Sequence, residues 1–311
     1  VVCGPMYPGS NPELVAAVSE AGGLGVVQPI TMTYLYGHDF KAGIDLIKQS
    51  TSKPFGVNFT LLGGNKRYEK RLEEWLEISI EAGVKFFLTS LGDPKWVVRR
   101  AEKHGIIVYH DITTRKFAQK AVDAGVHGLN CVNNRAGGQT GLNSPEKMIE
   151  ELHDLKCPLV CAGGVGNEED FVKALNMGYA AVQMGTRFLA TDECLIPENY
   201  KEAIIVSNEE DIVWTNKLAG TISSVISTPD IEKGGLMVNP IFSFLLQQPS
   251  TKKLMRTALL LRSMQQHKDV VHKPGYDEIW QAGKGVGNIK ATEPAGKVIQ
   301  AFYQAFKNAN I

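Results

Sequence analysis

The sequence predicts an α/β fold, a (β/α)8 TIM barrel with a helical cap inserted after strand 8. The main observation is a recurring pattern in which a helix ends, a glycine caps it and an apolar strand follows. Three of these glycines, at positions 83, 105 and 125, are 20–22 residues apart, roughly one compact strand–helix unit. Alternating strands and helices predict a parallel sheet, and their regular repetition favours a closed barrel over an open sheet. The pattern occupies residues 20–27, 81–88, 103–110, 123–130 and 176–183.

Eight strands are predicted from the apolar runs of the chain. The helices between them carry apolar residues three and four positions apart, such as Trp75 and Ile78, as expected for an outer ring that packs on the sheet through one face. The predicted strands are 1–6, 24–28, 55–61, 85–90, 106–111, 127–132, 158–162 and 180–185. The predicted helices are 12–21, 39–49, 68–82, 94–104, 114–124, 145–155 and 168–177.

The length of the chain predicts an insertion after the last strand. A barrel of this type takes ~250 residues, whereas the chain has 311. The excess lies at 197–275, a segment interrupted by prolines that we interpret as helices without strands. The predicted domains are therefore a barrel formed by 1–196 and 276–311, and a helical cap or substrate subdomain at 197–275.

Composition narrows the function classes. Hydrophobic residues make up 43% and charged residues 21%, as in a globular protein, and the formal net charge is zero. We therefore expect a small-molecule substrate, with no nucleic-acid or membrane partner, and no apolar run reaches the length of a transmembrane helix. Five scattered cysteines and no signal peptide favour reduced thiols, a cytoplasmic location and no metal site. Assembly as a homodimer is left open.

Residues 161–191 contain the strongest local signal. They read as a strand, a glycine turn, a helix, a second strand and a second glycine turn. Asn167 is the expected cap of that helix, whose first turn is acidic. Glycine turns at successive strand ends let main-chain N–H groups converge on one anion, and the loops after strands 7 and 8 are the usual phosphate site of such barrels. The pair of turns predicts a phosphate-binding site.

The other strand ends are rich in amides and hydroxyls and poor in paired carboxylates. Asp111 is their only acidic residue, which argues against glycoside hydrolysis by two carboxylates. No lysine ends a strand, which argues against Schiff-base chemistry. Neutral hydrogen-bonding groups around a phosphate site favour a bound cofactor with polar ring edges, and FMN is the natural candidate.

Five motifs resemble the nitronate monooxygenase family, formerly called 2-nitropropane dioxygenases, which are FMN-dependent (β/α)8 enzymes. The motifs are GPMYPGSNPELVAAVSEAGGLGVV, PFGVNFTLL, AGGQTG, CAGGVGNEEDFVKALNMGYAAVQMGTRFLAT and WQAGKGVG. They run in the family's order through residue 195 and resume near 279–290, covering about two-thirds of the chain. The same superfamily includes flavin enoyl-acyl-carrier reductases and NADH:quinone reductases.

The resemblance implies which residues hold FMN. Pro5 and Met6 would lie against the flavin ring, and Gln183 would point inward beneath it. Ala282 and Gly283 match a return loop that approaches the cofactor. The residues implied to bind FMN are Pro5, Met6, Asn58, Thr60, Ala162, Gly163, Gly164, Gln183, Gly185 and Thr186.

The catalytic position departs from the family pattern. The loop after strand 6 typically reads AGGH-x-G, with histidine as the base, whereas Gln139 stands here. Glutamine donates and accepts hydrogen bonds but takes no proton at neutral pH. His110, at the end of strand 5, is the candidate replacement, and Asp111 beside it stands where a lysine is often present. Tyr34, Tyr36 and Gly138 are predicted to line the substrate pocket.

Three functions follow as hypotheses. Without a base, we expect oxidation of alkyl nitronates, which are already deprotonated, by oxygen, and little activity on neutral nitroalkanes. The first alternative is an NAD(P)H-dependent flavin reductase of a quinone or an enoyl thioester. The second is a flavin-binding protein that has lost its catalysis together with the histidine.

Overall fold

Eight parallel strands close into a barrel in the order of the chain, which confirms the predicted fold class. The structure is a computed structural model that describes residues 1–218, 221–238, 240–248, 251, 255, 258, 259, 262, 265, 268 and 279–309. The barrel strands are β1 (Val2–Cys3), β2 (Leu24–Val27), β3 (Gly56–Thr60), β4 (Phe86–Ser90), β5 (Ile107–Ile112), β6 (Gly128–Val132), β8 (Leu159–Ala162) and β9 (Ala181–Met184). Each lies inside its predicted range except β5, which extends one residue further.

Helices connect these strands, and each predicted helix is present with shifted ends. Gly83 follows the third helix with a φ of +81°, a conformation that glycine adopts without strain. Among the described residues, no helix combines the length and the apolarity that a membrane crossing requires. The helices between the strands are α1 (Pro12–Glu20), α2 (Phe40–Ser50), α3 (Lys66–Glu81), α4 (Lys95–Glu102), α5 (Arg115–Asp123), α6 (Pro145–Leu152) and α7 (Glu168–Asn176). The helices whose bounds are described after β9 include α8 (Thr186–Leu189), α9 (Glu198–Val206), α10 (Pro229–Gly234), α11 (Pro240–Gln247) and a C-terminal helix (Ala295–Asn308).

The segment after β9 corrects one prediction, because it is not purely helical. β10 (Ile212–Thr215) and β11 (Ser223–Ile226) form a three-stranded antiparallel sheet with β7 (Gly138–Gln139), which belongs to the loop after β6. Both strands contain β-branched residues, which favour extended backbone. The predicted boundary at 275/276 lies outside the described residues.

Side-chain alternation separates the two faces of the barrel wall. Successive residues of a strand point to opposite faces. One face packs against the helices, as Phe59 and Phe87 show with an edge-to-face contact at 5.0 Å between ring centroids. The other face points into the barrel, where Asn58 and Ser90 reach a cavity at the carboxyl ends of the strands. The helices and outer face therefore supply the core, and the inner face supplies the site.

Candidate active site

A cavity of about 350 Å³ lies at the carboxyl ends of the barrel strands, within the size range of small-molecule sites. Its floor consists of inward-facing residues that end the strands or directly follow them. Most of these floor residues carry amide, hydroxyl or carboxyl groups. They are Gly4, Gln28, Asn58, Thr60, Ser90, Asp111, Val132, Ala162 and Gln183.

The glycine turn after β8 forms one end of the cavity. Gly163 and Gly164 have φ angles of +121° and +84°. A Cβ atom on Gly163 would lie 2.5 Å from the main-chain nitrogen of Ala136, and one on Gly164 would lie 2.6 Å from Nε of Arg135. Asn167 caps α7 by accepting a hydrogen bond from the main chain of Asp170 at 2.9 Å, as the sequence predicts. Only glycine fits these two positions, so main-chain groups face the cavity directly.

Asn133 fastens this turn to the loop after β6. Its Nδ2 donates to the carbonyl oxygen of Gly163 at 3.0 Å, and its Oδ1 accepts from the main-chain nitrogen of Arg135 at 2.8 Å. Asn133 is fully buried. One amide therefore sets the distance between the glycine turn and the loop that carries Gln139.

The return loop near residue 283 completes the same end of the cavity. The main-chain nitrogen of Gly283 donates to Oγ1 of Thr186 at 2.9 Å, and that of Lys284 donates to the carbonyl oxygen of Arg135 at 2.9 Å. A Cβ atom on Gly283 would lie 2.6 Å from the main chain of Gly137. Three loops therefore meet at backbone contact around the glycine turn.

Glu209 connects the segment after β9 to these loops. Its carboxylate accepts hydrogen bonds from both terminal nitrogens of Arg135, at 2.8 and 2.6 Å, and from Nζ of Lys284 at 3.3 Å. The hydrogen bond from Arg135 is the main reason why the pKa of Glu209 lies below its usual value. The positive charge of Arg135, which lines the cavity, is thus already paired.

Gln139 lies at the wall of the cavity, held by the small sheet. Gly138 pairs with Ser224 and Gln139 with Ser223 in the antiparallel ladder with β11. The Gln139 side chain is exposed, and both Gly138 and Gln139 line the cavity.

The model of the nitronate monooxygenase family matches residues 1–301 of the chain. The chain belongs to the nitronate monooxygenase family. This confirms the resemblance seen in the five sequence motifs.

Three known proteins illustrate the similarity. A probable nitronate monooxygenase of Staphylococcus saprophyticus is 26% identical over 295 residues, which cover 81% of this chain and 82% of the relative. A (3aS,4S,5R,7aS)-5-hydroxy-7a-methyl-1-oxo-octahydro-1H-indene-4-carboxyl-CoA dehydrogenase of Rhodococcus jostii is 28% identical over 220 residues, 70% of this chain. The match spans only 60% of that dehydrogenase. The structure of FabK from Thermotoga maritima superimposes with a TM-score of 0.79 at 25% identity, covering 99% of this chain and 93% of FabK.

Membership of the nitronate monooxygenase family implies a flavin cofactor, and the residues present fit one. The glycine turn has no room for a Cβ atom but exposes main-chain groups that suit a phosphate. On the floor, Oδ1 of Asn58 is buried without a hydrogen-bond donor. Since a buried acceptor without a donor costs about 1–3 kcal/mol, a ring with N–H groups at its edge is a suitable occupant.

The structure brings the predicted cofactor residues of this family member together. All ten line the cavity, as do Gly138, Gln139 and Gly283. Ala282 is fully buried behind them.

His110 does not reach the cavity, in contrast to its predicted role as a replacement base. On β5, alternation points Asp111 into the barrel and His110 toward the helices, where its Nδ1 is 2.8 Å from Oγ1 of Thr89. Burial lowers the pKa of His110 to about 4, so the ring is neutral at pH 7. His110 is a buried, hydrogen-bonded group on the outer face of the barrel.

Tyr34 and Tyr36 also lie outside the cavity, although they were predicted to line the substrate pocket. They lie in and after a π-helical turn, Thr31–Leu35, which turns them away from the floor. The Tyr36 hydroxyl donates to the carbonyl oxygen of Pro8 at 3.0 Å. The Tyr34 hydroxyl donates to Oε1 of Gln265 at 3.1 Å. Tyr7 lines the cavity instead.

The sequence assigns no role in the site to Asp111 or Asn133, yet Asp111 lines the floor and Asn133 fixes the glycine turn. Alternation along 106–111 contained a signal, because it requires His110 and Asp111 to face opposite sides of the wall. It did not say which side each residue faces.

Proposed function

We propose that this chain is an FMN-dependent oxidoreductase that oxidises alkyl nitronates with oxygen. The observation that carries the proposal is the cavity itself, in which a glycine turn suited to a phosphate opens onto a floor that is rich in amide and hydroxyl groups, with Gln139 at the wall. FMN has one phosphate and one polar ring system, which match these two parts. When bound, the flavin supplies the chemistry, accepting electrons from the substrate carbon and passing them to oxygen.

The residues of the chain bind the cofactor and orient it. The phosphate is held by Ala162, Gly163, Gly164, Gly185 and Thr186. The flavin ring and the chain that joins it to the phosphate are held by Pro5, Met6, Asn58, Thr60 and Gln183. These assignments are supported by the position of all ten residues on the cavity wall.

Gln139 binds the substrate without moving a proton. Its side-chain amide donates hydrogen bonds to the nitro oxygens of a nitronate, which carries its negative charge there. A neutral nitroalkane needs a base to remove a proton from carbon, and a positioned base contributes about 10²–10⁴-fold to such a step. With glutamine at this position and His110 facing away, the chain favours the nitronate.

Anaerobic mixing of the purified, FMN-loaded protein with an alkyl nitronate, and separately with NADH, tests the proposal. We expect the nitronate to bleach the flavin absorbance and NADH to leave it unchanged. Protein that neither retains nor rebinds FMN contradicts the cofactor assignment. Bleaching by NADH alone contradicts the substrate assignment.

The second candidate is an NAD(P)H-dependent flavin reductase of a quinone or an enoyl thioester. It is favoured by the relative from Rhodococcus jostii, whose name describes a carboxyl-CoA substrate, and by the similarity to FabK over almost the whole chain. Bleaching by NADH is its signature. A catalytically impaired flavin-binding protein, the third candidate, is bleached by neither reagent.

We place the enzyme in the cytoplasm. Five free cysteines, four of them buried, suit a reducing compartment. Assembly as a homodimer stays a prediction.

A further inference from the structure

Asp111 is the only carboxylate among the described residues that line the cavity. It lies on β5, the fifth of eight strands in the ring, and therefore faces β1 across the barrel. Its side chain is on the inner face of the wall, in the floor that also contains Ser90 and Gln183. A carboxylate in this position is adjacent to whatever occupies the cavity.

The surroundings of Asp111 offer little to balance a negative charge. Nδ2 of Asn130 donates to Oδ1 of Asp111 at 2.5 Å, and no described lysine, arginine or histidine forms an ion pair with it. Asn130 is buried, and its own Oδ1 has no hydrogen-bond donor. One neutral amide is thus the only hydrogen-bonding partner that the described side chains give this carboxylate.

The other titratable groups near the cavity do not supply a positive charge that would balance a negative charge on Asp111. His110 points outward and is neutral at pH 7, since burial lowers its pKa to about 4. Burial raises the pKa values of Cys131, Tyr7 and Tyr200 above their usual values, which keeps all three uncharged. Arg135, on the wall near the glycine turn, is paired with Glu209.

We propose that Asp111 takes up one proton when a flavin bound in this cavity is reduced, and releases it when the flavin is reoxidised. This inference rests on the proposed function only in requiring that flavin binds here, and not on the identity of the substrate. Asp111 would act as a proton-storing residue for the redox cycle, a role distinct from that of Gln139.

The physical reason is repulsion between like charges. Reduction adds negative charge to the occupant of the cavity, and a nearby like charge disfavours the ionised form of a carboxyl group. Burial already raises the pKa of Asp111 to about 7, against a smaller opposing effect of the Asn130 hydrogen bond. A further rise caused by reduction then moves the group from partly ionised to protonated at neutral pH. The two groups titrate as a coupled pair.

The step balances without an additional reagent. Two electrons come from the substrate in the proposed reaction, or from dithionite in the test below. The proton comes from water, and one O–H bond forms on the Asp111 carboxylate while no bond in the side chain breaks. On reoxidation the two electrons pass to oxygen, the O–H bond breaks and its proton is available to the reduced oxygen.

The midpoint potential of the FMN-loaded protein, measured against pH with dithionite as reductant, tests this inference. For a two-electron couple, one additional proton makes the potential fall by about 30 mV more per pH unit, the equivalent of a tenfold change in the equilibrium constant. We expect wild type to show this additional slope relative to Asp111→Asn above pH 7. Below pH 6, where Asp111 is protonated in both redox states, the two slopes should agree.

Two further variants are matched controls. Asp93→Asn removes an exposed carboxylate outside the cavity and should keep the wild-type slope. Asp111→Glu keeps a titratable carboxyl group in the floor and should restore the additional slope. Equal slopes for wild type and Asp111→Asn at every pH overturn the inference, and so does loss of the slope in Asp93→Asn.

A second measurement does not depend on the folding of the Asn variant. The infrared difference spectrum of wild type between oxidised and reduced protein should gain a protonated-carboxyl band at pH 8 that shifts in heavy water. Absence of that band overturns the inference. Failure to bind FMN removes the proposed function as well, whereas bleaching by nitronate without the band removes only the role of Asp111.

Discussion

The main chain of Gln139 lies directly opposite Ser223 in the antiparallel ladder that joins the loop after β6 to β11. Both residues line the cavity. The ladder holds the position of residue 139 through main-chain hydrogen bonds, so its side chain can be exchanged without releasing the loop. The chemistry at this point of the wall therefore depends on the side chain alone.

The variant Gln139→His should be able to oxidise neutral nitroalkanes. A histidine restores a group that accepts a proton near neutral pH, and a positioned base contributes about 10²–10⁴-fold to proton abstraction. We expect the rate with a neutral nitroalkane to rise by about 100-fold, while the rate with its nitronate changes little. Steady-state oxygen consumption with the two forms of one substrate measures both rates.

Gln139→Asn is the matched control for this gain, because it keeps an amide and adds no base. Its rate with the neutral nitroalkane should stay at the low level of wild type. If wild type already oxidises both forms at comparable rates, the assignment of Gln139 as a residue that binds without taking a proton is wrong.

Gly163→Ala should weaken FMN binding. Alanine is strained at a φ of +121°, and its Cβ atom would lie 2.5 Å from the main chain of Ala136. We expect FMN affinity to fall by about tenfold or more, the equivalent of at least about 1.4 kcal/mol. Fluorescence titration of the flavin-free protein measures the affinity.

Gly83→Ala is the matched control, because it introduces backbone strain at a position away from the cavity. Gly83 also has a positive φ, +81°, but a Cβ atom there meets nothing within 4 Å. This variant should lose about 1 kcal/mol of folding stability and bind FMN as wild type does. Equal FMN affinities for the two alanine variants would show that the turn after β8 is not the phosphate site.

Glu209→Gln should destabilise the protein at neutral pH but not in acid. The hydrogen bond from Arg135 lowers the pKa of Glu209 in the folded state, so the unfolded chain binds more protons in the acidic range. The stabilisation is therefore present above the usual pKa of a glutamate, 4.5, and is lost as the pH falls below it. Melting temperatures of wild type and Glu209→Gln should differ at pH 7 and converge near pH 3.

The barrel and the glycine turn were predictable because both arise from local rules. Helix periodicity, C-capping glycines and apolar runs recur within units of about 20 residues, and the turn at Gly163 and Gly164 sits inside one such unit. The end of the cavity that these glycines form could therefore be predicted from the local sequence and the number of strands.

The predictions that were wrong concern features that depend on contacts between distant parts of the chain. β10 and β11 contain β-branched residues, but the pairing of β11 with Gly138 and Gln139 joins positions more than 80 residues apart. Likewise, alternation alone cannot say whether His110 or Asp111 faces inward, because that depends on the register with β4 and β6. The sequence located the end of the strand and missed the residue that reaches the cavity.

His110 and Asp111 should affect stability against pH in opposite directions. Burial lowers the pKa of His110 from 6.5 to about 4, so the unfolded chain binds more protons between these values and stability rises with pH. Burial raises the pKa of Asp111 from 3.8 to about 7, so the folded chain binds more protons there and stability falls with pH. Each contribution has a slope of about 1.4 kcal/mol per pH unit, so in wild type the two nearly cancel between pH 4 and 6.5.

When one of the two residues is replaced, the free energy of unfolding should show the pH dependence that the other contributes. Relative to wild type, the free energy of unfolding of Asp111→Asn should rise by about 1.4 kcal/mol per pH unit between pH 4.5 and 6.5, and that of His110→Gln should fall by about the same amount. Urea unfolding of flavin-free protein at pH 4.5, 5.5 and 6.5 measures both slopes. Parallel curves for the variants and wild type would mean that His110 and Asp111 keep their ordinary pKa values in the folded chain. Opposite slopes would establish that Asp111 holds its proton near neutral pH before any cofactor binds, because only a carboxyl group that is protonated in the folded state stabilises the protein in acid.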